Sequence, residues 1–128
     1  MNQETEEWVE KAEGDWGTMI RESLVTEGAN LDAVCFHAQQ CAEKYFKALL
    51  VENGVGFQKT HDLVKLLNDL LLLYPEMDVH SEGAVALTAF GVEFRCPGEN
   101  ADNSDVTDSI KYCTQIRFDI RKALRLDD

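Results

Sequence analysis

A chain of 128 residues has the size of one domain and length for one sizeable core. Its 45% hydrophobic and 28% charged residues exclude a disordered or fibrous chain. The formal net charge of −12 excludes sequence-independent nucleic-acid binding, which needs a basic surface.

The first helix is expected from about Glu4 to Thr26, with acids in its first turn where the helix dipole favours them. Trp8, Ala12, Trp16, Met19 and Ser23 recur at helical spacing. Gly14 and Gly17 weaken this helix by roughly 1 kcal/mol each relative to alanine. A close approach of another helix would account for them. The second helix is expected over Leu31 to Glu52, with Asn30 as N-cap and Asn53-Gly54 as its stop.

The third helix is expected from about His61 to Tyr74, ended by Pro75, with Leu63, Leu66, Leu67, Leu70 and Leu71 as its apolar stripe. The fourth is expected over Ser81 to Arg95. Val85, Leu87, Ala89 and Gly91 also alternate like a strand, but an isolated strand has no partner here. Pro97-Gly98 closes that segment. The fifth is expected from Ser104 to Leu126, capped by Asn103 or Ser104, with Asp105 and Asp108 in its first turn. No linker or repeat interrupts the chain. The expected architecture is all-α: one domain over residues 1–128, an antiparallel up-and-down bundle of four to five helices.

The acid is concentrated in residues 1–32 and 66–108, whereas 33–65 is near balance. The start of the chain has no basic segment followed by an apolar run, and no apolar run spans a bilayer. A cytoplasmic protein without a membrane partner is expected. The cysteines Cys35, Cys41, Cys96 and Cys113 lack C-x-x-C spacing and are expected as buried free thiols. His37 and Cys41 lie one turn apart, but no two further ligands accompany them, so no metal site is expected. No cofactor is called for.

On a helical wheel, Val34, Ala38, Cys41, Ala42, Tyr45, Phe46 and Leu49 share one face of the second helix. Gln40, Glu43 and Lys47 fall opposite, with Phe36 among them and Leu50 and Val51 flanking. Two readings stand: a solvated charge stripe, or a second packing surface such as a symmetric dimer built on Phe36, Gln40, Leu50 and Val51. In the fifth helix, Val106, Ile110, Cys113, Ile116, Ile120 and Leu124 share one arc. Lys111, Arg117, Arg121, Lys122 and Arg125 share the next, either as a soluble face or as a phosphate-reading stripe. His61 and Asp62 are either plain helix-terminus residues or, with Lys59, an anion site.

The order of these pieces resembles the HEPN domain family (higher eukaryotes and prokaryotes nucleotide-binding). The matching residues are Phe36-His37-Ala38-Gln39-Gln40-Cys41-Ala42-Glu43-Lys44, Lys47-Ala48-Leu49-Leu50 and His61-Asp62-Leu63. Arg95-Cys96-Pro97-Gly98-Glu99 matches an Arg-aromatic-Pro-Gly turn, with Cys96 in the aromatic position. The resemblance implies a compact, usually dimeric helical bundle. It also implies, for many members, a metal-independent RNase paired as a toxin with a small nucleotidyltransferase. The implied catalytic signature is an Arg followed after four to six residues by His. Here those positions hold Asn100, Ala101 and Asp102, and no histidine follows His80. No catalytic residue is therefore assigned. Asn100 forms hydrogen bonds but does not shuttle a proton.

The first expectation is thus a domain that binds a nucleotide or RNA segment without RNase activity, through Arg95, Lys47, His61 and Lys59, with Glu43 orienting a cation. The alternatives are a dimeric interaction module partnering a separately encoded nucleotidyltransferase, in a toxin-antitoxin-like system, and an unorthodox RNase using Arg95 with Glu99 or His61.

Overall fold

Asn2 starts the first helix, its side-chain oxygen accepting from the Thr5 backbone N–H at 2.8 Å. Such a bond satisfies one of the N–H groups that a first turn leaves without a partner. This helix, α1, covers Gln3–Ser23 in a computed structural model that describes residues 1–127. Asn30 caps α2, Leu31–Glu52, at 3.0 Å from the Ala33 N–H. Next come α3, Leu63–Leu71; a 3-10 segment, Pro75–His80; α4, Ser81–Glu93; and α5, Asn103–Ala123. Among the described residues there is no strand, and no helix is long and apolar enough to cross a membrane. The expected all-α bundle is what the chain forms.

Several boundaries differ from expectation for identifiable reasons. His61 lies outside α3, because Asp62 is the N-cap and accepts from the Val64 N–H at 2.9 Å. α3 stops at Leu71, short of Tyr74, which precedes Pro75 and is kept out of the helical region at φ −131°. Asp102, rather than Asn103 or Ser104, caps α5. It closes a capping box in which the Asp105 N–H meets the Asp102 carboxylate at 2.8 Å and the Asp102 N–H meets that of Asp105 at 3.0 Å. α1 ends at Ser23, before Thr26, and α4 ends at Glu93, before Arg95.

α4 is a helix despite its alternating sequence: Gly83, Leu87 and Gly91 are buried at helical spacing, and Val85 and Ala89 are exposed. A Cβ on Gly83 would stand 3.0 Å from the Tyr112 ring, and one on Gly91 would stand 3.1 Å from Gln39. Both glycines are buried, so they let α4 lie close to α5 and α2. Gly14 and Gly17 do not have that role. A Cβ on Gly14 meets nothing within 4 Å, and one on Gly17 meets only the guanidinium of Arg21 in its own helix.

α2 is the central helix and packs against the other four. Its buried Tyr45, Phe46, Leu49 and Leu50 join Met19, Leu63, Leu66, Leu70, Leu87, Ile116 and Ile120 in one core. α1 runs antiparallel to α2, since the Asn2 N–H reaches Glu52 at 3.0 Å. The α2–α3 connection returns along α2. His61 therefore lies beside Glu43, while Tyr74, beyond α3, meets Asn53 at 3.0 Å. Cys35, Cys41 and Cys113 are buried, and burial pushes the Cys35 and Cys41 thiols up. Cys96, expected inside, is exposed, because it stands in the turn after α4 rather than on a packed helix face.

Candidate functional site

Glu43 and Lys47 are not a solvated stripe. They are 3% and 6% exposed, under the returning α2–α3 connection. A buried charge persists only when paired and hydrogen-bonded. Lys47 Nζ donates to Glu43 Oε2 at 3.0 Å, and His61 Nδ1 stands 2.8 Å from Glu43 Oε1. Gln39, 2% exposed, donates to Glu43 Oε1 at 3.1 Å and to the His61 carbonyl at 3.0 Å. Gln40 in turn donates to Gln39 Oε1 at 2.7 Å. The Lys47 ammonium also lies 5.4 Å from the ring centres of Trp8 and Phe57, which shield it. Glu43 thus links α2 to the loop ahead of α3, and Lys47 is spent inside the fold. What this network presents outward is His61, whose side chain is 72% exposed. Lys59 is exposed on the same loop and forms no ion pair among the described residues.

Arg95 follows α4. Its guanidinium lies over the Phe36 ring, 5.2 Å from the centroid, and forms no ion pair among the described residues. Phe90 and Phe94 stack on each other at 5.5 Å beside it. These rings supply the aromatic surface that Cys96 lacks. Phe36, Gln40 and Glu43 form one row on α2. Phe36 and Glu43 are seven residues apart, so Arg95 and His61 mark points roughly 10 Å apart along the helix axis. The structure therefore keeps Arg95 and His61 on one face and withdraws Lys47 and Glu43 beneath it. Of the residues expected at an interface, Phe36, Gln40 and Val51 are half-buried, and Leu50 is completely buried in the chain's own core.

Two of the five cations grouped on the α5 arc, Arg117 and Arg121, are also spent within the fold, whereas Lys111, Lys122 and Arg125 are exposed. Arg117 makes a two-pronged pair with Glu13, both bonds at 2.8 Å, and its guanidinium covers Trp16. Arg121 donates to the Tyr45 hydroxyl at 3.0 Å, and that hydroxyl donates to Glu13. These bonds to Arg117 hold the Glu13 carboxyl below its ordinary range, while burial pushes the Tyr45 phenol up. Asp15 similarly joins His37 at 2.8 Å and Lys44. His80 meets Asp119 at 2.7 Å. The sequence reading missed Gln39, Asp15 and Glu13 as organisers, because each acts across helices. The i,i+4 aromatics Phe90 and Phe94 just before Arg95 were a visible signal.

The loop after Arg95 is held at its far end. The Ala101 N–H donates to Asp32 at 2.8 Å, tying it to the start of α2. The turn at Pro97-Gly98 closes with a bond from the Glu99 N–H to the Cys96 carbonyl at 3.1 Å, and Gly98 supplies the positive φ of 89°.

The family model described as HEPN domain matches residues 5–122. The chain belongs to the HEPN domain family. Searches of the curated proteins and of the solved structures give no match. In this HEPN domain positions 100 to 102 hold an exposed Asn100, a buried Ala101 and a helix-capping Asp102. Two of the three are thus engaged in building the loop and α5. What the face offers chemically is a guanidinium for an anion, an accessible imidazole and aromatic surface.

Proposed function

We propose that this HEPN domain binds a nucleotide or a short single-stranded RNA segment and does not cut it. The observation that carries this reading is Arg95, without an ion pair among the described residues, held over Phe36 on the row of α2 whose Glu43 meets His61. A guanidinium suits phosphate, and an exposed imidazole suits ribose or phosphate oxygens. The absence of a histidine at residues 100–102 supports binding without proton transfer. The overall −12 charge supports a local contact with one or a few nucleotides rather than a long electrostatic footprint.

Calorimetric titration with ATP, GTP and a short single-stranded RNA, with the RNA recovered on a gel, tests it. Binding with intact RNA is expected. RNA cut by the wild type and spared by Arg95→Ala would make the protein a nuclease. No binding of any probe would reject the reading.

The second reading is an interaction module, a homodimer or a partner of a separately encoded nucleotidyltransferase as in toxin-antitoxin pairs. Its support is a groove between the 3-10 segment and α5 where Val79 is 74% and Phe118 is 49% exposed. Sedimentation of Phe118→Glu tests that surface, and a wild-type profile that is already monomeric removes the homodimer.

A further inference from the structure

We infer that the hollow between the start of α2 and the end of α4 receives one nucleobase, from a free nucleotide or from an RNA strand. This rests on the nucleotide reading above and adds the part of the ligand that phosphate contacts leave unread. The hollow has a volume of about 350 Å³ and is lined by Asn30, Asp32, Phe36, Phe90, Phe94 and Arg95, among others.

Its lining combines flat and polar groups. Phe90 and Phe94 lie nearly parallel, 21° apart, and Arg95 covers Phe36. Phe36, Phe90 and Phe94 are all half-buried, so the fold holds them without consuming them. Every base has a π-face, and stacking on such rings tolerates any sequence.

The polar atoms are half used. Asn30 spends its oxygen on the cap of α2, which fixes the side chain and leaves its Nδ2 without a partner among the described residues. Asp32 spends Oδ1 on the Ala101 N–H, which leaves Oδ2 without one. Asn30 and Asp32 thus border the aromatic surface, the one with a side-chain donor and the other with an acceptor that no described residue uses. The edge of a base carries both an N–H and an acceptor nitrogen or oxygen and satisfies the two together. An apolar side chain from a protein partner, or from a second copy, would bury both groups without partners. A phosphate group is turned away from the Asp32 side by like charge and is left to Arg95.

The test compares four probes: a short single-stranded RNA, an abasic ribose-phosphate oligomer of equal length, AMP and ribose 5-phosphate. Wild-type protein, Phe94→Leu, Phe90→Leu and Arg95→Ala are each titrated after thermal melts show them folded. Phe94 stands at the exposed end of α4, so Phe94→Leu carries the test if Phe90→Leu does not fold.

The expected result is that the wild type prefers a base-bearing probe over its abasic counterpart by about tenfold. The leucine variants lose that preference but keep abasic binding, whereas Arg95→Ala weakens both kinds of probe. A preference seen with AMP assigns the free nucleotide as a source; one seen only with the oligomer assigns RNA. Equal wild-type binding of base-bearing and abasic probes overturns the base site and leaves the phosphate reading standing. So does a preference that survives in both leucine variants, including the case in which they dissociate a dimer, which would make the hollow an interface between copies. No binding of any probe overturns the proposed function itself, and this inference with it.

Discussion

The Glu43 carboxylate stands 2.8 Å from the His61 ring, so a nearly inaccessible acid orients a side chain that is 72% exposed. The same acid holds the buried Lys47 ammonium at 3.0 Å. One residue of α2 thereby fixes the position of the loop ahead of α3 and the aim of its imidazole.

Glu43→Ala is expected to destabilise the protein by about 3 kcal/mol, because it strands a buried ammonium. Lys47→Met is expected to cost less, since Glu43 keeps Gln39 and His61 and the methionine chain still fills the space under Trp8 and Phe57. Urea denaturation of the two variants checks the order. A loss under roughly 0.5 kcal/mol for Glu43→Ala would place that pair among ordinary surface ion pairs.

The proposed ligand contact makes Arg95→Ala the informative functional variant. Arg95 is exposed and its guanidinium rests on Phe36, outside the buried core, so its removal leaves the core intact. Nucleotide or RNA affinity is expected to fall about tenfold or more, the loss of a charge-assisted hydrogen bond, with an unchanged melting temperature. Unchanged affinity in the folded variant would remove Arg95 from the site.

The Glu13–Tyr45–Arg117 cluster predicts two arms of a pH profile. The Glu13 carboxyl is held below its ordinary 4.5, chiefly by its hydrogen bonds to Arg117. Its contribution is therefore present above pH 4.5 and is lost as pH falls through the folded value. The Tyr45 phenol is pushed above its ordinary 10, first by burial and then by its bond to Glu13. Its contribution is present below pH 10 and is lost as pH rises beyond it. Denaturation midpoints across pH should fall at both ends. Glu13→Gln should flatten the acid arm and Tyr45→Phe the alkaline one; an unflattened arm would assign that loss to other groups.

The two kinds of glycine separate in a pair of substitutions. Gly14→Ala meets open space in a helix and is expected to raise stability by about 1 kcal/mol. Gly83→Ala sets a methyl group 3.2 Å from the Tyr112 Cβ, a backbone-anchored atom that cannot swing aside. It is expected to lower stability by about 1 kcal/mol despite the better helix propensity. Opposite signs in thermal melts support the contact; equal gains would show that α4 and α5 separate freely.

By itself the sequence determined the helices. Apolar spacing set the buried faces, Asn30 set the start of α2, and Pro75 set an end, because capping and periodicity are local and act within a few residues. The ordered residues of α2, with His61-Asp62-Leu63 and Arg95, were enough to mark the family. Only the tertiary structure decided which polar residues remain available. Glu43, Lys47 and Arg117 read as surface charges on a single helical wheel, yet the returning α2–α3 connection buries the first two and α1 pairs the third. A wheel shows which residues share a face but not which neighbour covers it, since that depends on contacts such as Glu13 with Arg117, 104 residues apart. The same packing left Arg95 and His61 exposed and Asn30 and Asp32 half used, and these are the residues on which the proposed ligand contact rests.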